Sequence, residues 1–103
     1  MYHVITLPSA EQDFLRIFNY ISDELFNIEA AMSLLDEFEK AKVKLSTHPT
    51  SYTIHETVGR FDFRKKIINN YLIFFNINEE TKTVYISLVA HELQDYDILL
   101  AQI

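Results

Sequence analysis

The sequence predicts an α+β domain in which a strand and two helices precede a sheet of three further strands. Three apolar runs between Phe61 and Val89 are separated only by short polar turns, a pattern typical of an antiparallel meander. Before them, residues 10–45 carry two apolar stripes at helical spacing, joined by a very short connection. A short helix or last helical turn within residues 92–101 completes the predicted order β-α-α-β-β-β-α.

The N-terminal elements have recognisable start signals. Residues 2–7 are predicted to form the first strand, and Pro8 followed by Ser9 indicates the start of a helix that Ser9 caps. Asn27 is expected to cap the second helix. Because the connection between them is short, the two helices should form an antiparallel hairpin. Residues 46–59, which contain a proline and end at the only glycine, are expected to form a loop.

The three strands of the meander are predicted at about Phe61–Ile68, Tyr71–Ile77 and Thr83–Val89. The pair Asn69-Asn70 suits a tight turn between the first two, since asparagine tolerates positive φ better than most residues. The second run is apolar on both faces until Asn76, so it should be the central strand of the three. The two helices are the expected cover for one face of this sheet.

Composition limits the class of protein. A chain of 103 residues, 49% of them hydrophobic, is long enough for one core, so residues 1–103 are expected to form a single domain. The absence of cysteine excludes a disulfide framework and a thiol nucleophile. A single glycine excludes a glycine-rich phosphate loop. There is no signal-peptide pattern and no apolar run of about 20 residues, so a cytoplasmic protein without membrane contact is expected.

The charge is acidic overall but unevenly distributed. The net charge of −6 argues against polyanion binding by the whole surface. Residues 1–44 carry eight acidic and four basic side chains, whereas residues 60–82 carry five basic and three acidic ones. A small positive patch on the predicted sheet is therefore compatible with the acidic total.

The basic patch is the first candidate site, and it contains Arg60, Arg64, Lys65 and Lys66. Strand alternation places Arg64 and Lys66 on one face and Lys65 on the other. If the helices cover the Phe63 face, Arg64 and Lys66 line the open face and could bind a phosphate. The alternative is a solvated strand face whose cations pair with acids of the C-terminal segment.

The second candidate is His91, which follows the last predicted strand. With an unperturbed pKa of roughly 6.5, a histidine can act as acid or base near neutral pH. The alternative is an ordinary polar residue at a strand end. His55-Glu56 lies in the predicted loop, and two such residues do not define a metal site. With no HExxH pattern and no cysteine, neither a metal nor another cofactor is expected.

Several of these features occur together in an order that resembles the RelE/ParE superfamily of bacterial type II toxins. The matching segments are Arg64-Lys65, Asn70 to Phe74, Val84 to His91, Gln94-Asp95-Tyr96 and Leu99-Leu100. The resemblance covers nearly the whole chain when the helical first half is included. It implies the same β-α-α-β-β-β-α fold.

The resemblance implies a toxin of a toxin–antitoxin system of the plasmid-stabilisation type, acting on the ribosome and messenger RNA. In such toxins a ribose 2′-hydroxyl attacks the neighbouring phosphate without a metal, which requires an acid, a base and cations. On this basis His91 is the predicted acid or base, Arg64 stabilises the phosphorane, and Tyr96 orients a base. The predicted substrate-binding residues are Arg60, Lys65, Lys66 and Tyr71.

The same resemblance leaves two alternatives open. ParE-like members inhibit DNA gyrase without being nucleases, and the acidic net charge fits such a role equally well. The chain could also be an inactive relic that retains only its partner. In each case the implied partner is a DNA-binding antitoxin encoded in the same operon, whose extended segment lies along the toxin.

Overall fold

The computed structural model describes residues 1–103 and contains one five-stranded sheet and three α-helices. The strands are β1 (His3–Thr6), β2 (Ile54–Val58), β3 (Phe61–Ile68), β4 (Tyr71–Asn78) and β5 (Thr83–His91). The helices are α1 (Pro8–Asn19), α2 (Ile28–Thr47) and α3 (Tyr96–Ala101). A π-helical turn (Tyr20–Glu24) extends α1, and a 3₁₀ turn (Pro49–Ser51) follows α2. None of the helices combines the length and apolar character needed to cross a lipid bilayer.

The strand order in the sheet is β1-β5-β4-β3-β2. β1 runs parallel to β5, and all other neighbours are antiparallel. The predicted central position of β4 is confirmed, and residues 72–75 of this strand are buried on both faces. The turn before it has Asn69 at φ 52°, as the Asn-Asn pair predicts.

The prediction of a loop over residues 46–59 is wrong for its last part, because Ile54–Val58 forms the edge strand β2. This strand pairs with β3, and a bulge interrupts its register between Ile54 and Glu56. The bulge breaks the simple alternation by which a strand is recognised in sequence. Gly59, at φ +63°, then turns the chain into β3. The meander therefore has four strands.

The helix starts were predicted with mixed success. Asn27 caps α2 as expected, since its side-chain oxygen accepts a hydrogen bond from the backbone N–H of Ala30 at 3.0 Å. The capping role of Ser9 is wrong: α1 begins at Pro8 after an extended Leu7, without a side-chain cap. Proline supplies the start because its fixed φ suits the first helical position and its missing N–H costs nothing there. The Ser9 hydroxyl instead donates to a backbone carbonyl of β5.

The helical hairpin of α1 and α2 covers one face of the sheet, hereafter the hairpin face. The Phe14 and Phe38 rings stack at 4.5 Å between the helices, above the fully buried Ile73 and Phe75 of β4. On the opposite face, hereafter the α3 face, a smaller core forms beneath α3. Its buried members are Phe63, Leu72, Phe74, Leu88, Ala90 and Leu100. The helices thus cover the Ile68 face of β3 rather than its Phe63 face.

Candidate functional site

A cleft of about 490 Å³ lies where α1 meets the adjoining ends of β4 and β5. It brings together two of the predicted site residues, Tyr71 and His91, and adds side chains from α1 and from the turn after β5. Its polar lining consists of Asp13, Arg16, Tyr20, Tyr71, His91 and Gln94. Two other predicted residues, Arg60 and Arg64, border a separate groove of about 200 Å³ beside Asp62 and Glu79.

The α1 side of the cleft is fixed by the uneven lengths of the strands. β1 pairs with β5 only as far as Ile86, so the outer edge of β5 has no strand partner beyond that point. There the Asp13 carboxylate accepts a hydrogen bond from the backbone N–H of Val89 at 3.2 Å. Arg16 lies 3.4 Å from the other carboxylate oxygen, and its side chain is 72% exposed. A weakly held, solvated guanidinium of this kind is available to an anion.

His91 is held by the turn that follows β5. Its backbone N–H donates to the Gln94 side chain at 2.8 Å, and its Nδ1 accepts from the backbone N–H of Leu93 at 3.0 Å. Because Nδ1 is an acceptor, the neutral imidazole carries its proton on Nε2. His91 therefore offers the cleft a proton donor rather than a free base.

Tyr71 lies opposite His91 in the β4–β5 register, with the two rings edge to face at 5.1 Å. Burial raises the pKa of the Tyr71 phenol above its ordinary value, and the neighbouring Tyr20 raises this pKa further. The phenol consequently stays neutral at physiological pH and can donate a hydrogen bond. The two tyrosine rings also provide flat apolar surface on which a base could stack.

The predicted residues Arg64 and Lys66 lie on the hairpin face, at the other end of the sheet. Arg64 donates hydrogen bonds from Nη1 to the carbonyl oxygens of Tyr52 at 2.6 Å and Thr50 at 3.2 Å. The Lys66 ammonium lies 5.0 Å from the centre of the Tyr52 ring. Both cations thus attach the segment after α2 to the sheet. Arg64 also borders the small groove that Arg60 lines, where the carboxylates of Asp62 and Glu79 offset its charge.

The remaining predicted residues lie elsewhere. Lys65 projects to the α3 face opposite Phe74, and the Tyr96 ring packs 5.3 Å from Phe74 on that same face. Arg60 is exposed at the β2–β3 turn, with its guanidinium 5.5 Å from the Phe61 ring. The acids of the C-terminal segment do not pair with these cations, since Asp97 contacts His55 instead.

Arg64 and His91 are well separated, although both belong to the hairpin side of the sheet. Arg64 is opposite Phe75 on one edge of β4, and His91 is opposite Tyr71 on the other edge. Four residues along a strand span about 13 Å, and two strand spacings add about 10 Å across the sheet. With its guanidinium bound to backbone carbonyls, Arg64 does not reach a phosphate held at His91.

Sequence reasoning missed the α1 contribution to the cleft. Asp13, Arg16 and Tyr20 follow one another at helical spacings of three and four, which places them on one side of the helix. That spacing was available from the sequence. These three residues form part of a site because they lie over the unpaired edge of β5. That position depends on how β1 pairs in the sheet.

Comparison with known proteins agrees with this architecture. Residues 4–96 match the family model described as "ParE toxin of type II toxin-antitoxin system, parDE". No curated protein is significantly similar to the chain in sequence.

Solved structures with this fold include three from toxin–antitoxin pairs. A chain from the chromosomal ParDE system of P. aeruginosa has a TM-score of 0.70 at 13% identity, covering 88% of this chain and 96% of that one. A chain from the RelBE2 complex of Mycobacterium tuberculosis has a TM-score of 0.62 at 19% identity, with coverages of 87% and 96%. A chain from the archaeal RelE–RelB complex of Pyrococcus horikoshii has a TM-score of 0.56 at 11% identity, with coverages of 90% and 97%. These likenesses establish the fold, and the family model, which spans most of the sequence, establishes that the chain belongs to the ParE toxin family of type II toxin–antitoxin systems.

Proposed function

We propose that this toxin acts as an inhibitor of DNA gyrase, with residues 1–103 working as one domain, and does not cleave messenger RNA. The observation that carries the proposal is the separation of Arg64 from His91, with the Arg64 guanidinium bound to the carbonyls of Thr50 and Tyr52. Cleavage through the ribose 2′-hydroxyl needs an acid, a base and a cation around a single phosphate. Arg64 and His91 lie too far apart to contribute to one such set.

The electrostatics support the same proposal. The chain carries a net charge of −6, and Arg64 and Lys66 of β3 contact neighbouring protein groups. Binding to a polyanion gains its affinity chiefly from cations that neutralise phosphates. Binding to a protein target with a complementary surface does not require cations that neutralise phosphates.

Ribosome-dependent cleavage of messenger RNA is the second candidate, and one observation favours it. The 490 Å³ cleft presents the Nε2 proton of His91, the exposed guanidinium of Arg16 and the rings of Tyr20 and Tyr71. These groups could donate a hydrogen bond to a leaving oxygen, hold a phosphate and stack a base. In this alternative Arg16, rather than Arg64, supplies the cation beside His91.

Two assays on the same purified protein separate the candidates. We expect inhibition of gyrase supercoiling by the wild-type chain and no new 5′ ends when primer extension is performed on translated messages. His91→Ala should leave the supercoiling inhibition unchanged, with His48→Ala, an exposed histidine at the end of α2, as the matched control. Cleavage of translated messages that His91→Ala abolishes and His48→Ala retains, without any effect on gyrase, would establish the second candidate instead.

We further propose that the partner of this toxin is a DNA-binding antitoxin encoded in the same operon. The similar structures come from systems described as ParDE, RelBE2 and RelE–RelB pairs. The tip of the helical hairpin leaves apolar side chains in solvent, with Leu25 55%, Phe26 90% and Ile28 56% exposed. An extended or helical antitoxin segment could cover such a surface.

Co-expression with the product of the adjacent reading frame tests the partner. We expect a complex that survives size-exclusion chromatography and relieves growth arrest. Phe26→Asp should weaken that complex more than Val43→Asp, which changes an exposed apolar residue on α2 away from the tip. The absence of any complex with the neighbouring product would refute this assignment, whichever target the toxin has.

A further inference from the structure

Three side chains outside the cleft converge between the edge strand β2 and α3. They are His55 and Glu56 of β2 and Asp97 of α3, and one ligand-type atom from each lies within 4.8 Å of the others. His55 Nε2 is 2.7 Å from an Asp97 carboxylate oxygen. The cluster joins two segments that are 42 residues apart in the chain.

The backbone of β2 is shaped so that two consecutive side chains reach this place. Neighbouring residues of a regular strand point to opposite faces of the sheet. Here Ile54 is opposite Arg64 and Glu56 is opposite Phe63, so His55 is the extra residue of a bulge. A bulge redirects side chains. It is the reason that His55 and Glu56 can both approach α3.

The Glu56 carboxylate gives an independent indication that a ligand belongs here. Its Oε2 atom is shielded from solvent and accepts no hydrogen bond from another protein group. Leaving a buried polar atom without a partner costs free energy, and more so for a charged group. Both neighbours in the cluster can act as ligands of a cation, and a cation beside Oε2 would remove that cost.

The imidazole is also held in place before any ligand binds. The His55 ring lies 5.3 Å from the Phe74 ring and 5.5 Å from the Tyr96 ring, edge to face with both. Such packing fixes the ring orientation, so Nε2 remains directed at the Asp97 carboxylate. A ligand set fixed in this way loses little conformational entropy when it binds an ion.

We propose that His55, Glu56 and Asp97 form a binding site for a first-row divalent metal ion, Zn²⁺ being the best match. One imidazole nitrogen and two carboxylates suit Zn²⁺, with water in the remaining coordination position. Mg²⁺ and Ca²⁺ prefer sites built from oxygen alone. The metal takes the place of the proton on His55 Nε2, and the neutral imidazole then carries its proton on Nδ1. The bound metal thereby links α3 to the edge strand β2. This role does not depend on which target the toxin inhibits.

Calorimetry and thermal unfolding of the full chain, freed of metal by a chelator, test the site. We expect one Zn²⁺ per chain and a rise in Tm of about 10–20 °C when free Zn²⁺ is 100 times the Kd. Mg²⁺ at the same concentration should produce neither effect. Hydrogen exchange of residues 96–101 should slow when Zn²⁺ is added, because the ion holds α3 in place.

Variants decide which residues bind the metal. His55→Ala and Asp97→Asn should each weaken Zn²⁺ binding at least tenfold and abolish the rise in Tm, while His48→Ala should bind as the wild type does. Asp97 is 61% exposed, so Asp97→Asn keeps the test valid should His55→Ala fail to fold. The proposal is overturned by a wild-type chain that does not bind Zn²⁺, by binding that survives Asp97→Asn, or by an equal response to Mg²⁺.

Discussion

The two faces of the sheet differ in the number of buried residues that pack against them. The hairpin face buries fourteen residues drawn from α1, the π-helical turn, α2 and the strands β3, β4 and β5. The α3 face buries six, under a helix of only six residues. The larger core involves most of the chain, so its loss should be global, whereas α3 can detach while the remaining sheet stays paired. The difference indicates that stability is concentrated on the hairpin face and that the α3 face is the adjustable one.

β4 offers a direct test, because its consecutive residues Phe74 and Phe75 are both fully buried but belong to opposite faces. We expect Phe75→Ala to lower the free energy of unfolding by about 4–5 kcal/mol and Phe74→Ala by about 3 kcal/mol. The site of Phe74 can relax by movement of α3, whereas the hairpin cannot easily fill a cavity. Urea denaturation measures both losses. Equal losses, or the reverse order, would contradict the proposed division between the faces.

Leu100, fully buried on the α3 face, is the main apolar anchor of α3. Leu100→Ala should cost about 2–3 kcal/mol and should raise hydrogen exchange within residues 96–101 while β4 and β5 stay protected. Leu93→Ala, at a position 85% exposed, is the control and should change neither quantity. Loss of protection throughout the sheet would show that the two faces unfold together.

Arg64 tests whether a predicted site residue is structural. Arg64→Ala removes the hydrogen bonds to the carbonyls of Tyr52 and Thr50, and should lower the free energy of unfolding by about 1–2 kcal/mol. Arg64→Lys should recover only part of the loss, because an ammonium does not reproduce the planar guanidinium. Arg60→Ala, in an exposed turn, is the control. If Arg64→Ala abolishes toxicity without any change in the urea midpoint, the residue is functional rather than structural.

The smallest expected effect on stability is the pH-dependent contribution of Glu79, at the edge of the hairpin face. Hydrogen bonds from the Lys82 ammonium and the Tyr2 hydroxyl lower the pKa of Glu79 below its ordinary value of 4.5. A lowered pKa means that the folded state favours the ionised carboxylate, so its contribution is present above pH 4.5 and is lost as pH falls through the folded pKa.

Thermal unfolding from pH 3 to pH 7 measures this contribution. The Tm difference between the wild type and Glu79→Gln should be largest near pH 7 and should disappear at the acidic end. Glu80→Gln, which changes the neighbouring exposed carboxylate, should show a smaller pH dependence. A difference that grows as pH falls would contradict the assigned sign.

Much of the fold could be predicted because the relevant signals are local. The helical stripes, the Asn27 cap, the Asn69-Asn70 turn and the apolar run of β4 each depend on residues close together in the chain. The short C-terminal helix was also expected, although it begins only at Tyr96, after an Asp95 cap. β2 was missed since its bulge and its polar residues conceal the alternation of a strand.

The candidate site was less predictable. Alternation correctly placed Arg64 and Lys66 on one face and Lys65 on the other, but it could not say which of the faces the helices cover. The sequence drew attention to Tyr71 and His91, whose pairing across the β4–β5 register the structure provides. Asp13, Arg16 and Tyr20 escaped notice because only the short pairing of β1 turns their side of α1 into a cleft wall.

The sequence by itself determined the order of helices and strands, the central strand and the family resemblance, since each depends on near neighbours along the chain. The tertiary structure alone decided that Arg64 and His91 lie apart, because strand order and register set their distance. It also decided that His55-Glu56 meets Asp97. Two adjacent residues became part of a three-ligand cluster only when a bulged strand and the C-terminal helix were packed together.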